Sequence, residues 1–261
     1  MITSISNTQI KQVCAYVSKA KERRKDKVFV VEGAKMFEEA PESWVKKVYV
    51  TEAFLQKYAS GEISQKLQKL AYETVSEEVF AKMSDTKTPQ GILCVVSIPE
   101  YRLEDVLKDT NGVYILLEDI QDPGNLGTMI RTGEGAGIAG VIMTKETVDI
   151  FNPKTIRATM GSVYRVPFIY VDSLSDVIAI LQQKGISVYA AHLKGEQYYD
   201  AFDYTKGGAF LIGNEGNGLR EETANLADTY VKIPMAGKVE SLNAAIATSL
   251  FMYEASRQRG F

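Results

Sequence analysis

The chain has 261 residues, 45% hydrophobic and 24% charged. That balance can bury a core and excludes disorder as the default. Its 30 Lys and Arg against 33 Asp and Glu leave a net charge of −3, which argues against indiscriminate nucleic-acid binding, because phosphate contact needs cations. Apolar runs near the start are broken by Ser4, Asn7, Gln9, Lys11 and Gln12, so no export signal is expected. No run approaches the ~20 apolar residues of a membrane helix. Cys14 and Cys94 stand far apart and suit reduced, packed thiols. The expectation is a soluble, cytoplasmic protein with no membrane partner.

Between Lys11 and Lys27, the cations Lys19, Lys21, Arg23, Arg24 and Lys25 are opposed only by Glu22 and Asp26. This is either a solvated helix face or a local phosphate-binding surface. Lys27–Glu32 reads as a strand, ended by Gly33 and followed by a helix to Glu39. Val45–Thr51 is a second strand and Ile63–Leu70 a helix. Ser76 caps a helix with Glu77 and Glu78 in its first turn. Thr88-Pro89-Gln90-Gly91 then turns into the buried-strand run Ile92–Val96. Phe29, Phe37 and Trp44 suit a core better than a base-stacking platform.

A short helix is expected within Arg102–Asp109, then a turn at Asn111-Gly112, and the domain junction falls between about Pro99 and Asn111. Domains of residues 1–105 and 106–261 follow. The second half alternates strands (Val113–Leu117, Gly140–Met143, Val166–Tyr170, Ser187–Ala191, Ala209–Ile212, Tyr230–Ile233) with helices (Asn125–Gly135, Leu174–Gln183, Arg220–Leu226, Leu242–Arg259). That rhythm predicts an α/β fold with a mainly parallel sheet, helices on both faces, and chemistry at its loop ends.

Gly135, Gly137 and Gly140 spell G-x-G-x-x-G, but here a helix ends in the glycines and a strand follows. A dinucleotide site needs the reverse order, so a helix end and tight αβ turn explain them better. His192 is the only histidine, which leaves little material for a Ser-His-Asp arrangement. The cysteines lack metal-ligand spacing, and no metal is expected.

Three loops carry more signal. In Glu118–Gly127, Pro123-Gly124 turns the chain and Asn125 is expected to cap the next helix, with Arg131 six residues on. In Gly213-Asn214-Glu215-Gly216-Asn217-Gly218, glycines interleaved with amides and an acid let backbone approach a ligand. In Ile233–Ala245, Pro234 and Gly237 shape the backbone while Ser241 and Asn243 present polar groups at a helix start.

Asn125 with Arg131, Gly213-Asn214-Glu215-Gly216, and Ile233-Pro234-Met235 followed by Ser241-Leu242-Asn243 occur in the order and separations of the SpoU/TrmH family, which this chain resembles from about Val113 to Arg259. That family belongs to the SPOUT superfamily. The earlier segment looks like the ribosomal-protein-like α/β substrate-binding domain of many members.

The resemblance implies a trefoil knot, a homodimer whose active site draws on both chains, and methylation of an RNA ribose 2′-hydroxyl from S-adenosylmethionine, with 23S ribosomal RNA as the foremost substrate. It assigns Gly213, Ile233 and Leu242 to the cofactor, with Ala191, Gly216, Met235 and Gly237 nearby. It makes Arg131 catalytic, as base or as activator of the hydroxyl. A guanidinium normally stays protonated, which favours phosphate binding and alkoxide stabilisation. Asn125, Ser241 and Asn243 would fix ribose and loop geometry. Glu215 would hold a partner arginine or the cofactor loop, or accept a proton. The last helix, with Leu242, Ile246, Leu250 and Tyr253 at helical spacing, would serve the core or the dimer interface. The alternatives are a tRNA 2′-O-methyltransferase, a resistance-conferring ribosomal RNA enzyme, a non-catalytic ribosome-associated RNA-binding protein, and a Rossmann-type nucleotide enzyme.

Overall fold

The computed structural model describes residues Met1–Gly260. In chain order the first elements are α1 (Thr8–Ser18), α2 (Ala20–Asp26), β1 (Val28–Glu32), α3 (Ala34–Glu39), β2 (Val45–Val50), α4 (Glu52–Lys57), α5 (Glu62–Lys69), β3 (Tyr72–Thr74), α6 (Glu77–Met83) and β4 (Ile92–Ser97). Then come α7 (Leu103–Val106), β5 (Val113–Leu117), α8 (Pro123–Gly135), β6 (Gly140–Thr144), α9 (Pro153–Thr159), β7 (Phe168–Val171), α10 (Leu174–Gln183) and β8 (Val188–Ala191). The last are β9 (Gln197–Tyr198), β10 (Gly208–Ile212), α11 (Glu221–Ala224), β11 (Thr229–Lys232) and α12 (Ala244–Gln258).

The chain forms two compact units. One holds Met1–Glu100 together with Asp149–Tyr164; the other holds Tyr101–Val148 and the residues from Arg165 onward. In the first unit, four strands in the order β1-β4-β2-β3 join by antiparallel β1/β4 and β4/β2 ladders and a parallel β2/β3 pair. Ile10, Val13, Val30, Phe80, Met83 and Leu93 fill its core. Ser76 caps α6 by accepting from the Val79 amide. Arg23 is buried and does not join the exposed cations Lys21, Arg24 and Lys25; it donates to Asp149 Oδ2 at 2.6 Å and to the Tyr16 carbonyl at 2.7 Å. With Phe151 against Phe29 (4.8 Å between centroids) and the Tyr164 hydroxyl on the Met36 carbonyl, this anchors residues 149–164 in the first unit. Those residues lie within the expected second domain, and only long-range packing moves them.

In the second unit, seven strands run in the order β7-β6-β5-β10-β8-β11-β9, and every ladder between them is parallel. The central strands β5 and β10 are buried along their whole length, as continuous apolar runs require when both sheet faces are covered. Tyr114, Leu116, Ala209 and Leu211 pack with Leu174, Val177 and Leu181 of α10. Phe210, of opposite parity in β10, stacks on Phe251 of α12 (5.3 Å). Side chains alternate along a strand, so helices cover both faces. Gly137, at φ +70°, ends α8, with Ile138 N bonding the Gly133 carbonyl and Gly137 N that of Glu134. This is a helix-terminating Schellman turn, and the dinucleotide reading of the glycines falls.

A parallel sheet gathers all its carboxyl ends on one edge. Residues 118–125, 192–196, 213–220 and 233–243 follow β5, β8, β10 and β11 and therefore meet there, though they are far apart in sequence.

Candidate active site

The cap of α8 differs from expectation. Asp122, not Asn125, is the N-cap: its Oδ1 accepts from the Asn125 amide at 2.8 Å, and Pro123 takes the first helical position. Proline suits that place because its missing N–H would go unbonded anyway. Asn125 thus lies inside the first turn with its side chain free for other work.

That work is a chain of hydrogen bonds joining the three loops. Asn243 Nδ2 donates to Asn125 Oδ1 at 2.9 Å, and Asn125 Nδ2 donates to Glu215 Oε1 at 3.0 Å. Glu215 also accepts from the backbone amides of Gln121 (3.0 Å) and Asp122 (3.1 Å). Asn243 is fixed in turn, its Oδ1 capping α12 by accepting from Ala245 N and Ile246 N. Leu242 and Ser241 consequently precede that helix and stay in the loop. Partial burial pushes the Glu215 carboxyl up, but the Asn125 side chain and the Gln121 and Asp122 amides outweigh it and hold the group below its usual value. With both oxygens accepting, this carboxylate is a brace.

Two cavities adjoin the chain of bonds. An open depression of about 690 Å³ is lined by Gln121, Asp122, Asn125, Glu215, Ser241, Leu242, Asn243 and Ala244. A second, of about 370 Å³, lies among Ala191, His192, Ile212, Gly213, Gly216, Leu219, Ile233, Met235, Leu242 and Phe251. Glu215, Ser241, Leu242 and Ala244 line both. The structure therefore brings together Asn125, Glu215, Ser241 and Asn243, and beside them Gly213, Ile233, Leu242, Ala191, Gly216 and Met235. It leaves two expected residues outside: Gly237 is exposed in its loop, and Arg131 is exposed on α8; neither lines either cavity.

The glycine loop lines the smaller cavity, and its first glycine has a second task. A Cβ on Gly213 would come within 2.2 Å of Gly218 C and Leu219 N. The glycine is needed so that the loop can close on itself, where Asn214 and Gly218 exchange backbone hydrogen bonds of 3.0 and 2.9 Å. Asn214 Oδ1 accepts from Gly216 N and Asn217 N, and its Nδ2 donates to the Asp119 carbonyl.

Sequence reasoning missed several contributors. Buried Glu118 accepts from Arg220 N (2.8 Å) and Thr223 Oγ1 (2.5 Å), tying the far end of the glycine loop to β5. It follows an apolar run and signals a strand end only in hindsight. His192 lines the smaller cavity and stacks on Tyr230 at 4.9 Å. Burial, then nearby Lys194, lowers its pKa against an opposing pull from Glu221. Among the described residues, no group of three or more His, Cys, Asp or Glu is arranged to hold a metal, and no helix is long and apolar enough to cross a membrane.

Residues 112–253 match the model of the SpoU rRNA methylase family, and residues 7–94 match the MRM3-like substrate binding domain. The 23S rRNA (guanosine(2553)-2′-O)-methyltransferase RlmP of Bacillus subtilis is 32% identical over 252 residues, 97% of each chain. The SpoU methyltransferase AviRb from Streptomyces viridochromogenes, solved with its cofactor AdoMet, superposes with a TM-score of 0.86 at 27% identity, covering 97% of this chain and 98% of that one. An AdoMet-bound rRNA methyltransferase from Sinorhizobium meliloti gives 0.84 at 32% identity over 98% and 97%. With its sequence matched over both units and its fold shared with enzymes of this kind, the chain belongs to the SpoU rRNA methylase family.

Proposed function

We propose that this chain methylates a ribose 2′-hydroxyl in RNA, with S-adenosylmethionine as donor and 23S ribosomal RNA as substrate. The observation that carries the reading is the wall shared by the two cavities: Glu215, Ser241, Leu242 and Ala244 face both, so a donor in one lies beside an acceptor in the other. The smaller cavity, about 370 Å³, falls in the ~300–1,000 Å³ range of small-molecule sites. Its apolar walls (Ala191, Ile212, Leu219, Ile233, Leu242, Phe251) suit an adenine ring and thioether arms. Asn214, Lys232, Glu240 and Ser241 suit the ribose and amino-acid ends.

When bound, S-adenosylmethionine supplies an electrophilic sulfonium methyl. The chain's own task is then to orient a hydroxyl and accommodate its proton, and positioning alone can supply up to ~7–11 kcal/mol of such a barrier. Asn125, held between Asn243 and Glu215, is fixed for that role, and the Ser241 hydroxyl borders both cavities. Arg131 binds the nucleotide phosphate and stabilises developing charge on the ribose oxygen.

Because Arg131 lines neither cavity of its own chain, we read the working enzyme as a homodimer in which it serves the partner's site. Ile246 and Tyr253 support this: seven residues apart on one face of α12, they are 51% and 53% exposed. A trefoil knot of the C-terminal segment and a cytoplasmic location belong to the same reading. The first unit, with Lys21, Arg24 and Lys25 exposed, presents RNA to the site.

Ribose-methylation mapping of 23S ribosomal RNA with the gene present and deleted tests the proposal. One 2′-O-methyl mark should vanish on deletion, return with wild type and stay absent with Arg131→Ala. An unchanged map, together with no saturable S-adenosylmethionine binding, would overturn it.

A further inference from the structure

Among the described residues, three other than glycine adopt positive φ: Lys27, Asp119 and Met160. Lys27 and Met160 are the left-handed C-caps of α2 and α9, an ordinary way for helices to end. Asp119, at φ +57°, ends no helix. It stands two residues beyond β5, where the chain bends into the loop that carries Asn125. Left-handed backbone is uncommon outside glycine; aspartate and asparagine enter it more readily than most residues, and it persists where surrounding contacts over-determine it.

Those contacts come from three segments. Asp119 N donates to Thr144 Oγ1 at 2.9 Å, and the same hydroxyl donates back to Asp119 Oδ1 at 2.8 Å. Thr144, the last residue of β6, is 3% exposed, so this reciprocal pair is sheltered from water. The Asp119 carbonyl accepts from Asn214 Nδ2 at 2.8 Å and Gln121 Nε2 at 3.0 Å. Its other carboxylate oxygen accepts from the Arg220 guanidinium. Asn214 and Arg220 bracket the glycine loop, so both ends of that loop are tied to one residue. Asp119 itself lines neither cavity.

We propose that Asp119 is a positioning residue: its left-handed backbone and its carboxylate together set the glycine loop, which walls the donor cavity, in register with the loop that bears Asn125. The inference rests on the methyltransferase reading above but names a residue which that reading does not use. The backbone carbonyl holds the near end of the glycine loop, and the carboxylate fixes the Arg220 side chain at the far end, so removing the side chain leaves the far end held by Glu118 alone while the fold around β5 and β10 remains. Asparagine tolerates the left-handed region better than most residues and can still accept from Thr144, but it turns an amide toward Arg220.

The test uses the full-length protein and compares wild type with Asp119→Ala, Asp119→Asn, Arg220→Gln and the Asp119→Asn/Arg220→Gln double variant. It measures S-adenosylmethionine affinity by titration calorimetry, single-turnover methylation of a 23S ribosomal RNA fragment, and the thermal midpoint. Asp119→Asn and Arg220→Gln should each weaken donor binding about three- to tenfold, the size of one partly exposed charge-assisted hydrogen bond. The double substitution should be no worse than the poorer single, because both cut the same link. Asp119→Ala should lose more in kcat than in KM for RNA, and Asp119→Asn should recover part of that kcat. Additive effects in the double variant, or Asp119→Ala with wild-type donor affinity and kcat, would overturn the inference. An Asp119→Ala protein that fails to fold leaves the decision to the Asn and Gln variants. A wild-type protein that neither binds the donor nor methylates RNA would sink the functional reading instead.

Discussion

Replacing Glu215 by glutamine tests the brace directly. In wild type, one carboxylate oxygen accepts from Asp122 N and Asn125 Nδ2, the other from Gln121 N. The glutamine carbonyl can keep the first pair, but its NH₂ then meets the Gln121 amide, donor against donor. One bond is lost outright, worth about 1 kcal/mol, and two lose charge assistance, together about another 0.5–1 kcal/mol. The site is open to solvent, so the low end of each range applies. A sum of about 1.5 kcal/mol corresponds to a roughly tenfold fall in kcat/KM, since 1.4 kcal/mol is tenfold. Single-turnover methylation of a ribosomal RNA fragment at saturating donor measures it.

The pH profile separates brace from base. A carboxyl held below its usual value stays ionised above ~4.3 and loses its contribution only as pH falls through the depressed folded value. As a brace, Glu215 therefore leaves the neutral-pH rate with no carboxylate limb, and glutamine costs about tenfold. As the proton acceptor, its removal would cost ~10²–10⁴. A variant within twofold of wild type, with an unchanged thermal midpoint, would refute the brace. A loss beyond a thousandfold with an intact fold would refute the role assigned to it here.

Gly213→Ala forces a Cβ against the 218–219 backbone; overpacking of this kind costs about 1–3 kcal/mol. It should lower the thermal midpoint by several degrees and weaken S-adenosylmethionine binding at least tenfold, whereas Gly237→Ala, with open space around it, should change neither. His192 has a lowered pKa, so the folded state disfavours its proton. Stability should fall as pH drops below ~6.5, and His192→Gln should flatten that limb in thermal melts from pH 5 to 8. Ile246→Glu, on the exposed face of α12, tests the proposed homodimer: it should shift the protein to monomer in analytical ultracentrifugation and abolish methylation while leaving the chain folded.

Much of this was legible because strand and loop signals are local. Leu174–Gln183 and Val113–Leu117 match their expected bounds, their periods being set by one buried face or by two. Asn125 is a plausible cap by residue type, but Asp122-Pro123 is the stronger local signal, an N-cap followed by a first-turn proline. The two-residue β9 and the largely exposed β3 carry too little apolar pattern to register. Residues 149–164 look like an ordinary loop and helix, and nothing local reports that Phe151 and Asp149 find Phe29 and Arg23 more than a hundred positions away. Asp119 left no mark, since a left-handed aspartate is specified by Thr144, Asn214 and Arg220 rather than by its neighbours in sequence.

The loops themselves suggest why a site of this kind uses so many amides. Asn125, Asn214 and Asn243 each both donate and accept through one side chain, so hydrogen bonds can run through them from loop to loop without a buried charge at every step. Glu215 ends the run, and its charge is met by three donors rather than by a cation. A lysine or arginine in that place would set a positive charge beside the wall that a sulfonium donor must approach. Neutral donors hold the loop and leave the carboxylate's field facing the two cavities, where it favours a cationic donor over its neutral demethylated product. Glu215→Gln should therefore weaken S-adenosylmethionine more than S-adenosylhomocysteine. Equal weakening of both in parallel calorimetric titrations would mean that the carboxylate acts through loop geometry alone.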